Sequence, residues 1–235
     1  MITIKTEHEF CIGEPDFDIH EDNPNLLMNC SAGEDNHSDE NLIEEIISRV
    51  SSDRVSCLDL GCAGGQLILD LNNHEKTDIC VGLDGSAGVY KQNNWSIDSN
   101  KNVLKHANLT KTFSVLNNNE PVKFDIITCW EVIEHFEEKD LDVFFSNVAN
   151  HLSENGLFFG SIALFPDTRD SNGFHQKHPS YNKNDAKQYQ LHKTVFDSKD
   201  PWDKILSKHF KVLDYDFKVK LRNHHDSYYF MCKQK

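Results

Sequence analysis

The chain is 235 residues long and 38% apolar, with 38 acidic side chains against 24 basic ones and a formal net charge of −14. That length and apolar content suit one core, or one core with a decorated edge. The charge argues against clinging to nucleic acid through its phosphates, which needs a basic surface, although a local basic groove stays open.

In chain order, "MITIKTEHEF" is too polar for a signal peptide. Residues 1–37 read as acidic and irregular, with nine carboxylates against the single Lys5. Low hydrophobicity and high charge disfavour a packed core. The stretch is expected to be a partly ordered arm or a lid over a ligand. A helix is expected from Ser38, with Ser38 as cap, Asp39 and Glu40 in the first turn, and Leu42, Ile43, Ile46, Ile47 and Val50 as the apolar face. Strands then read at 55–60, 79–84, 102–106, 124–129 and 156–163, and helices at about 65–72, 86–94 and 139–152. The last strand lies in the longest mostly apolar run, "GLFFGSIALF", which is half a membrane span and reads as buried.

Such alternation predicts βαβ units and a doubly wound α/β fold, a mostly parallel sheet with helices on both faces. Near the end, "DPWDKILSKHF" reads as a helix with Asp200 as cap and Pro201 in its first turn. "KVLDYDFKVKL" and "SYYFMCK" alternate as two strands around "RNHHD", an antiparallel hairpin at the sheet edge. Residues 38–235 are thus expected to form one domain with an insertion at about 164–198. The seven cysteines include no CxxC pair and read as reduced thiols, hence a cytoplasmic protein.

The stretch "VSCLDLGCAGGQLILDL" from Val55 to Leu71 joins a strand, a glycine turn and a helix, a unit that holds nucleotide-like ligands. A dinucleotide site would want G-x-G-x-x-G. Here Ala63 takes the middle glycine position and Gln66 the last one. No Lys-Ser/Thr pair follows, so this is not a P-loop. Asp59, two residues before Gly61, would repel a pyrophosphate and attract an ammonium or sulfonium. Asp84 in "VGLDGS" ends the next strand, where an acid can accept both ribose hydroxyl hydrogens. Asn108 in "KHANLT" stands where it can bond an adenine edge. S-adenosylmethionine carries an amino acid, a sulfonium, a ribose and an adenine, and no phosphate.

The arrangement resembles the class I S-adenosylmethionine-dependent methyltransferases. The likeness covers residues 55–163 through "LDLGCAGG", "VGLDGS", "HANLT", "FDIITCWEVIEHF" and "HLSENGLFFGSI", in order. The terminal hairpin also suits that family, whose seven-stranded sheet ends in a reversed strand. Two positions depart from the common pattern, Ala63 for a glycine and Asn108 for an aspartate; Asn keeps a carbonyl acceptor. The resemblance implies S-adenosylmethionine as cofactor and S-adenosylhomocysteine as product. It implies a site made by Asp59, Gly61, Cys62, Ala63, Gly65, Gln66, Asp84, Gly85, Ser86, Asn108, Leu109, Cys129 and Trp130.

The motif "EVIEH" puts Glu131, Glu134 and His135 at i, i+3 and i+4, which on a helical turn project to one side. Two carboxylates and an imidazole can hold a divalent ion. The motif resembles that of quinone-pathway O-methyltransferases and of small-RNA 2′-O-methyltransferases, where a metal orients the substrate with a further His. His175, His178 and His192 are the candidates for that His. A plainer reading has Glu131 and His135 pinning the turn, with Glu134 solvated.

The long connection "FPDTRDSNGFHQKHPSYNKNDAKQYQLHKTVFDS" is of a length that is usually functional. Its histidines and aromatics can stack on an acceptor and take its proton. His192, in the strand-like "LHKTVF", is the first candidate base and His175 the second. "LHKTVFDSKDPWDKIL" also resembles a segment of methyltransferases from saccharide-modifying clusters. The expectation is O-methylation of a small-molecule or saccharide-type acceptor, with no membrane and no nucleic acid as partner. The alternatives are a metal-dependent RNA 2′-O-methyltransferase and a non-catalytic S-adenosylmethionine-binding protein. The oligomeric state is left open.

Overall fold

The computed structural model describes residues 1–6, 40–85, 103–164, 168–169, 189–190, 194, 196, 198–218 and 227–235. Its elements in chain order begin with β1 (Ile2–Thr6), α1 (Glu40–Ser48), β2 (Val55–Leu60), α2 (Gln66–Asn73), β3 (Thr77–Asp84) and β4 (Leu104–His106). There follow β5 (Phe113–Asn117), β6 (Glu120–Pro121), β7 (Phe124–Trp130), a 3-10 turn (Ile133–His135), α3 (Glu138–His151) and β8 (Leu152–Ala163). The last are β9 (Thr168–Arg169), β10 (Tyr189–Gln190), α4 (Lys199–His209), β11 (Phe210–Leu213) and β12 (Ser227–Gln234).

Seven strands form the main sheet in the order β11-β12-β8-β7-β2-β3-β4. The pairs β7/β8, β2/β7, β2/β3 and β3/β4 are parallel, while β12 runs antiparallel to both β8 and β11. This is the expected doubly wound sheet, with the reversed strand lying between β8 and the edge. Strands covered on both faces carry near-continuous apolar runs. In β2, Val55, Cys57, Leu58 and Leu60 are all buried.

One face of the sheet is covered by α3 and α4. Leu141, Phe144, Phe145 and Val148 of α3 repeat at helical spacing and pack with Trp202, Ile205, Leu206 and Phe210. The other face is covered by Leu42, Ile43, Ile46 and Ile47 of α1 and by Leu67, Ile68 and Leu71 of α2. Arg49 at the end of α1 ties in the chain after β11: its guanidinium bonds Glu45 and Asp216 and lies 4.5 Å from the Phe217 ring centroid.

Three expectations need correction. Residues 2–6 are not irregular: they form β1, paired antiparallel with β5 from Ile2↔Asn117 to Thr6↔Phe113. Neither β5 nor β6 is expected from the sequence; their hairpin turns through Asn118 (φ 51°) and Asn119 (φ 70°), a left-handed pair that Asn tolerates. Asp200 is not the cap of α4 but lies in its first turn, after Ser198 at the cap position. The expected helix at 86–94, the Ser38 cap and the rest of the acidic arm lie outside the described residues, except that Glu40 begins α1.

The small sheet is fastened to the domain by α3. Asn147 donates from Nδ2 to Lys111 O at 2.7 Å. The Val115 amide donates to His151 Nε2 at 3.0 Å, and the other ring nitrogen, Nδ1, lies 2.7 Å from Asn147 O. Nε2 must therefore be a lone-pair acceptor, so the imidazole is neutral and Nδ1 carries the proton. The ring stacks on Phe113 at 5.0 Å. Burial is the main cause that lowers the His151 pKa below its ordinary 6.5, with Lys123 adding to it against the Asn147 bond. The unfolded chain thus binds a proton before the folded one does, and stability is lost as pH falls below about 6.5. In urea unfolding, the stability of wild type relative to His151→Gln is expected to fall from pH 7 to pH 5, a difference that isolates His151 from other titrating groups. An unchanged slope in the variant would refute the assignment.

Candidate functional site

The carboxyl ends of β2, β3, β4, β7 and β8 share one edge of the sheet, the edge at which α/β folds bind ligands. The turn after β2 is built from left-handed residues: Gly61 at φ 76°, Ala63 at φ 47° and Gly65 at φ 85°. The Gly61 and Cys62 amides both donate to Leu83 O, at 2.7 and 3.1 Å. The Ala63 amide donates to Asp84 Oδ2 at 2.9 Å. So β3's last residues shape the turn that precedes α2. A Cβ on Gly61 would stand 2.3 Å from Val132 Cγ2, and one on Gly65 would stand 2.5 Å from Leu104 Cδ2. These glycines meet two needs at once, positive φ and close approach.

The side chains named from the sequence divide into groups. Asp59 is buried and accepts from Thr128 Oγ1 at 2.6 Å. Burial raises its pKa from 3.8 to about 7; the Thr128 bond opposes this and nearby Asp84 adds to it. The Cys62 and Cys129 thiols are buried, which pushes both well up. They pack inward, and the Cys62 thiol reaches Ala63 O of the same turn at 3.9 Å. Gln66 donates to both Asp70 carboxylate oxygens, at 2.8 and 2.9 Å, within its own helix.

On the β3–β4 side, Gly85 O lies 2.9 Å from His106 Nε2. Asn108 Oδ1 accepts from both the amide and the hydroxyl of Thr110, at 2.9 and 2.8 Å, an Asx turn. That oxygen therefore shapes the loop, and an adenine amine would have to compete for it. Leu109 is buried beside it. Ser86, His175, His178 and His192 lie outside the described residues.

At the end of β7, Trp130 makes an edge contact with Phe159 at 5.8 Å. Its indole Nε1 is buried without a hydrogen-bond partner among the described residues. A buried unmet donor at a ligand edge fits a lone-pair group that a bound molecule would supply. Glu131 follows at φ 52°, a conformation that is strained for a non-glycine and that clusters at functional sites. Its amide donates to Ser161 O at 2.8 Å, and Ser227 Oγ donates to its Oε1 at 3.0 Å.

The expected triad is not brought together. The turn is 3-10 rather than α, and Glu134 points into the protein, fully buried, accepting the Ala163 amide on Oε1 at 2.9 Å. His135 is half-buried. Among the described residues no three His, Cys, Asp or Glu side chains gather as metal ligands. The reading of Glu134 as solvated is also overturned. Thr128 and Ser227 went unnoticed in the sequence. No local pattern marks a threonine that serves an aspartate 69 residues earlier, or a serine that serves a glutamate 96 residues earlier.

Residues 58–158 match the family model described as a methyltransferase domain. No curated protein sequence matches the chain. Among solved structures, the chain is similar to an S-adenosylmethionine-dependent methyltransferase from Clostridium acetobutylicum, at 20% identity, 83% coverage of this chain, 89% of that chain, and a TM-score of 0.54. It is similar to the PH0226 protein from Pyrococcus horikoshii at 17% identity, with 82% and 88% coverage and a TM-score of 0.56. It is also similar to the glycopeptide N-methyltransferase MtfA complexed with S-adenosylmethionine, at 14% identity, 88% and 97% coverage and a TM-score of 0.56. At these identities the likeness establishes the fold. No helix among the described residues is long and apolar enough to cross a membrane.

The Asp59 environment yields a prediction. The folded chain keeps the Asp59 proton up to about pH 7, whereas the ordinary value is 3.8. Between those values unfolding releases a proton, so stability falls as pH rises, by on the order of 4 kcal/mol. Asp59→Asn keeps an acceptor for Thr128 and removes this fall. Denaturant unfolding is expected to find the variant more stable than wild type at pH 8 and equal to it near pH 4. A variant less stable at pH 8 would contradict the proposed burial cost.

Proposed function

From the methyltransferase domain this chain carries and the site it frames, we propose O-methylation of a small-molecule or saccharide-type acceptor, with S-adenosylmethionine as donor. The cofactor supplies a methyl group activated on a sulfonium, so in-line alignment does most of the work and a hydroxyl acceptor also needs a base. The left-handed turn after β2 and Asp84 would hold the cofactor, whose cationic end would favour the ionised form of the buried Asp59. The observation that carries the reading is the strained Glu131 at the end of β7, braced by Ser227. It stands one residue before Val132, which meets the Gly61 turn.

Glu131 and His135 would line the acceptor side. His192, or failing it His175, would take the hydroxyl proton. The acidic arm beyond β1, at 7–37, would close over the site, and the insertion at 164–198 would carry acceptor contacts. The net charge of −14 favours an uncharged or cationic acceptor over RNA. The N-methyltransferase among the similar structures keeps nitrogen as the competing target.

Two measurements test this. Isothermal titration is expected to show S-adenosylmethionine binding that Asp84→Ala weakens at least about tenfold, through lost ribose bonds and a loosened Ala63 turn. Unchanged affinity would remove Asp84 from the site. Incubation with methyl-labelled cofactor and a panel of phenols, monosaccharides, amines and RNA is expected to label a hydroxyl of a small acceptor. Chelator is expected to leave the rate unchanged, and His192→Ala to lower it with cofactor affinity intact. Label on an amine or on RNA would overturn the acceptor class.

A further inference from the structure

Three distant points of the chain are bonded to the single turn from Glu131 to Phe136. The Ala163 amide, at the end of β8, donates to Glu134 Oε1 at 2.9 Å. The Thr194 amide donates to Glu134 O at 3.0 Å, and Thr194 Oγ1 donates to Phe136 O at 2.7 Å. Ser227, the first residue of β12 and the register partner of Ala163, donates to Glu131. Ala163 stands just before the insertion and Thr194 near its far end, and both are buried, as is Glu134. Phe196 extends the anchorage by packing on Trp202 of α4, ring centroids 5.0 Å apart.

We propose that Glu134 is a positioning residue, a clip that joins the two chain ends of the 164–198 insertion beside the acceptor side of the site. The proposal rests on the reading above that this insertion carries acceptor contacts. The physical reasons are direct. Drawing together the ends of a long connection costs closure entropy, and a fully covered carboxylate costs desolvation unless it is bonded. A carboxylate accepting a backbone amide makes a strengthened, charge-assisted bond, and here it does so within the protein. The same residue's carbonyl takes the far end of the insertion. Side chain and main chain of Glu134 thus hold one end each. A clip needs only an acceptor oxygen at Oε1, whereas a metal ligand needs the carboxylate charge.

That difference sets the experiment, done on the full chain with S-adenosylhomocysteine as probe. Glu134→Ala is expected to speed hydrogen exchange at the Ala163 amide by about tenfold, the worth of one buried hydrogen bond, and to leave the Thr194 amide, held by the Glu134 main chain, protected. It is expected to leave S-adenosylhomocysteine affinity unchanged and to raise the KM of an acceptor found on the panel more than it lowers kcat. Glu134→Gln is expected to restore exchange protection and KM. Should Glu134→Ala not fold, Thr194→Val removes only the Phe136 bond and is expected to speed exchange at Thr194 alone. Unchanged exchange in these variants would overturn the clip, as would failure of Glu134→Gln to rescue together with chelator-sensitive activity. If nothing on the panel is methylated, the acceptor reading fails, and the exchange and rescue results still decide the clip.

Discussion

The site depends on one steric fact: Gly61 has no side chain where the methyls of Val132 stand. A Cβ there would fall 2.3 Å from Val132 Cγ2, far inside van der Waals contact. Because that space is open, the turn after β2 and the turn after β7 lie against each other at the carboxyl edge of the sheet. The first turn presents left-handed backbone and Asp84's carboxylate. The second presents the Trp130 indole, Glu131 and the anchored ends of β8 and β12. On the proposed reading, a donor site and an acceptor side would thereby be neighbours, which in-line transfer requires.

Electrostatics at this edge favour ligand over stability. Asp59 is buried against the Thr128 hydroxyl, and Asp84 lies close enough to raise its pKa further. Two acids so placed repel each other, and a cation between them would relieve both. Trp130 Nε1 belongs with them as a buried donor that meets no partner among the described residues. Such local costs mark sites where function opposes stability.

Most of the fold could be read from local pattern. The β2 strand was bounded correctly because apolar residues run unbroken to a glycine turn, and α3 because its apolar positions repeat at 3.6. The small sheet escaped notice for a definite reason. Ile2 and Ile4 alternate over only a few residues at the head of a highly charged stretch, and β5 is fastened by His151 and Asn147, whose roles no periodicity reveals. At the turn after β2, the glycines were legible because each answers a local steric demand, while the bond from the Ala63 amide to Asp84 was not. The "EVIEH" spacing was misread because i, i+3, i+4 implies a shared face only on an α-helix. Here Glu131 is left-handed and the following turn is 3-10, so Glu131 and Glu134 bond different partners.

By itself, then, the sequence determined the alternating strand and helix plan, the backbone geometry of the glycine turn and the acids beside it. These follow from sterics and hydrogen bonds within a few residues of chain. Tertiary structure decided which distant groups those residues meet: Thr128 for Asp59, Ser227 for Glu131, Ala163 and Thr194 for Glu134. Those pairings depend on strand order and register, which only close packing of the whole sheet settles. A short motif therefore shapes the turn after β2, while the surroundings of the turn after β7 are set by contacts that no single stretch of chain contains.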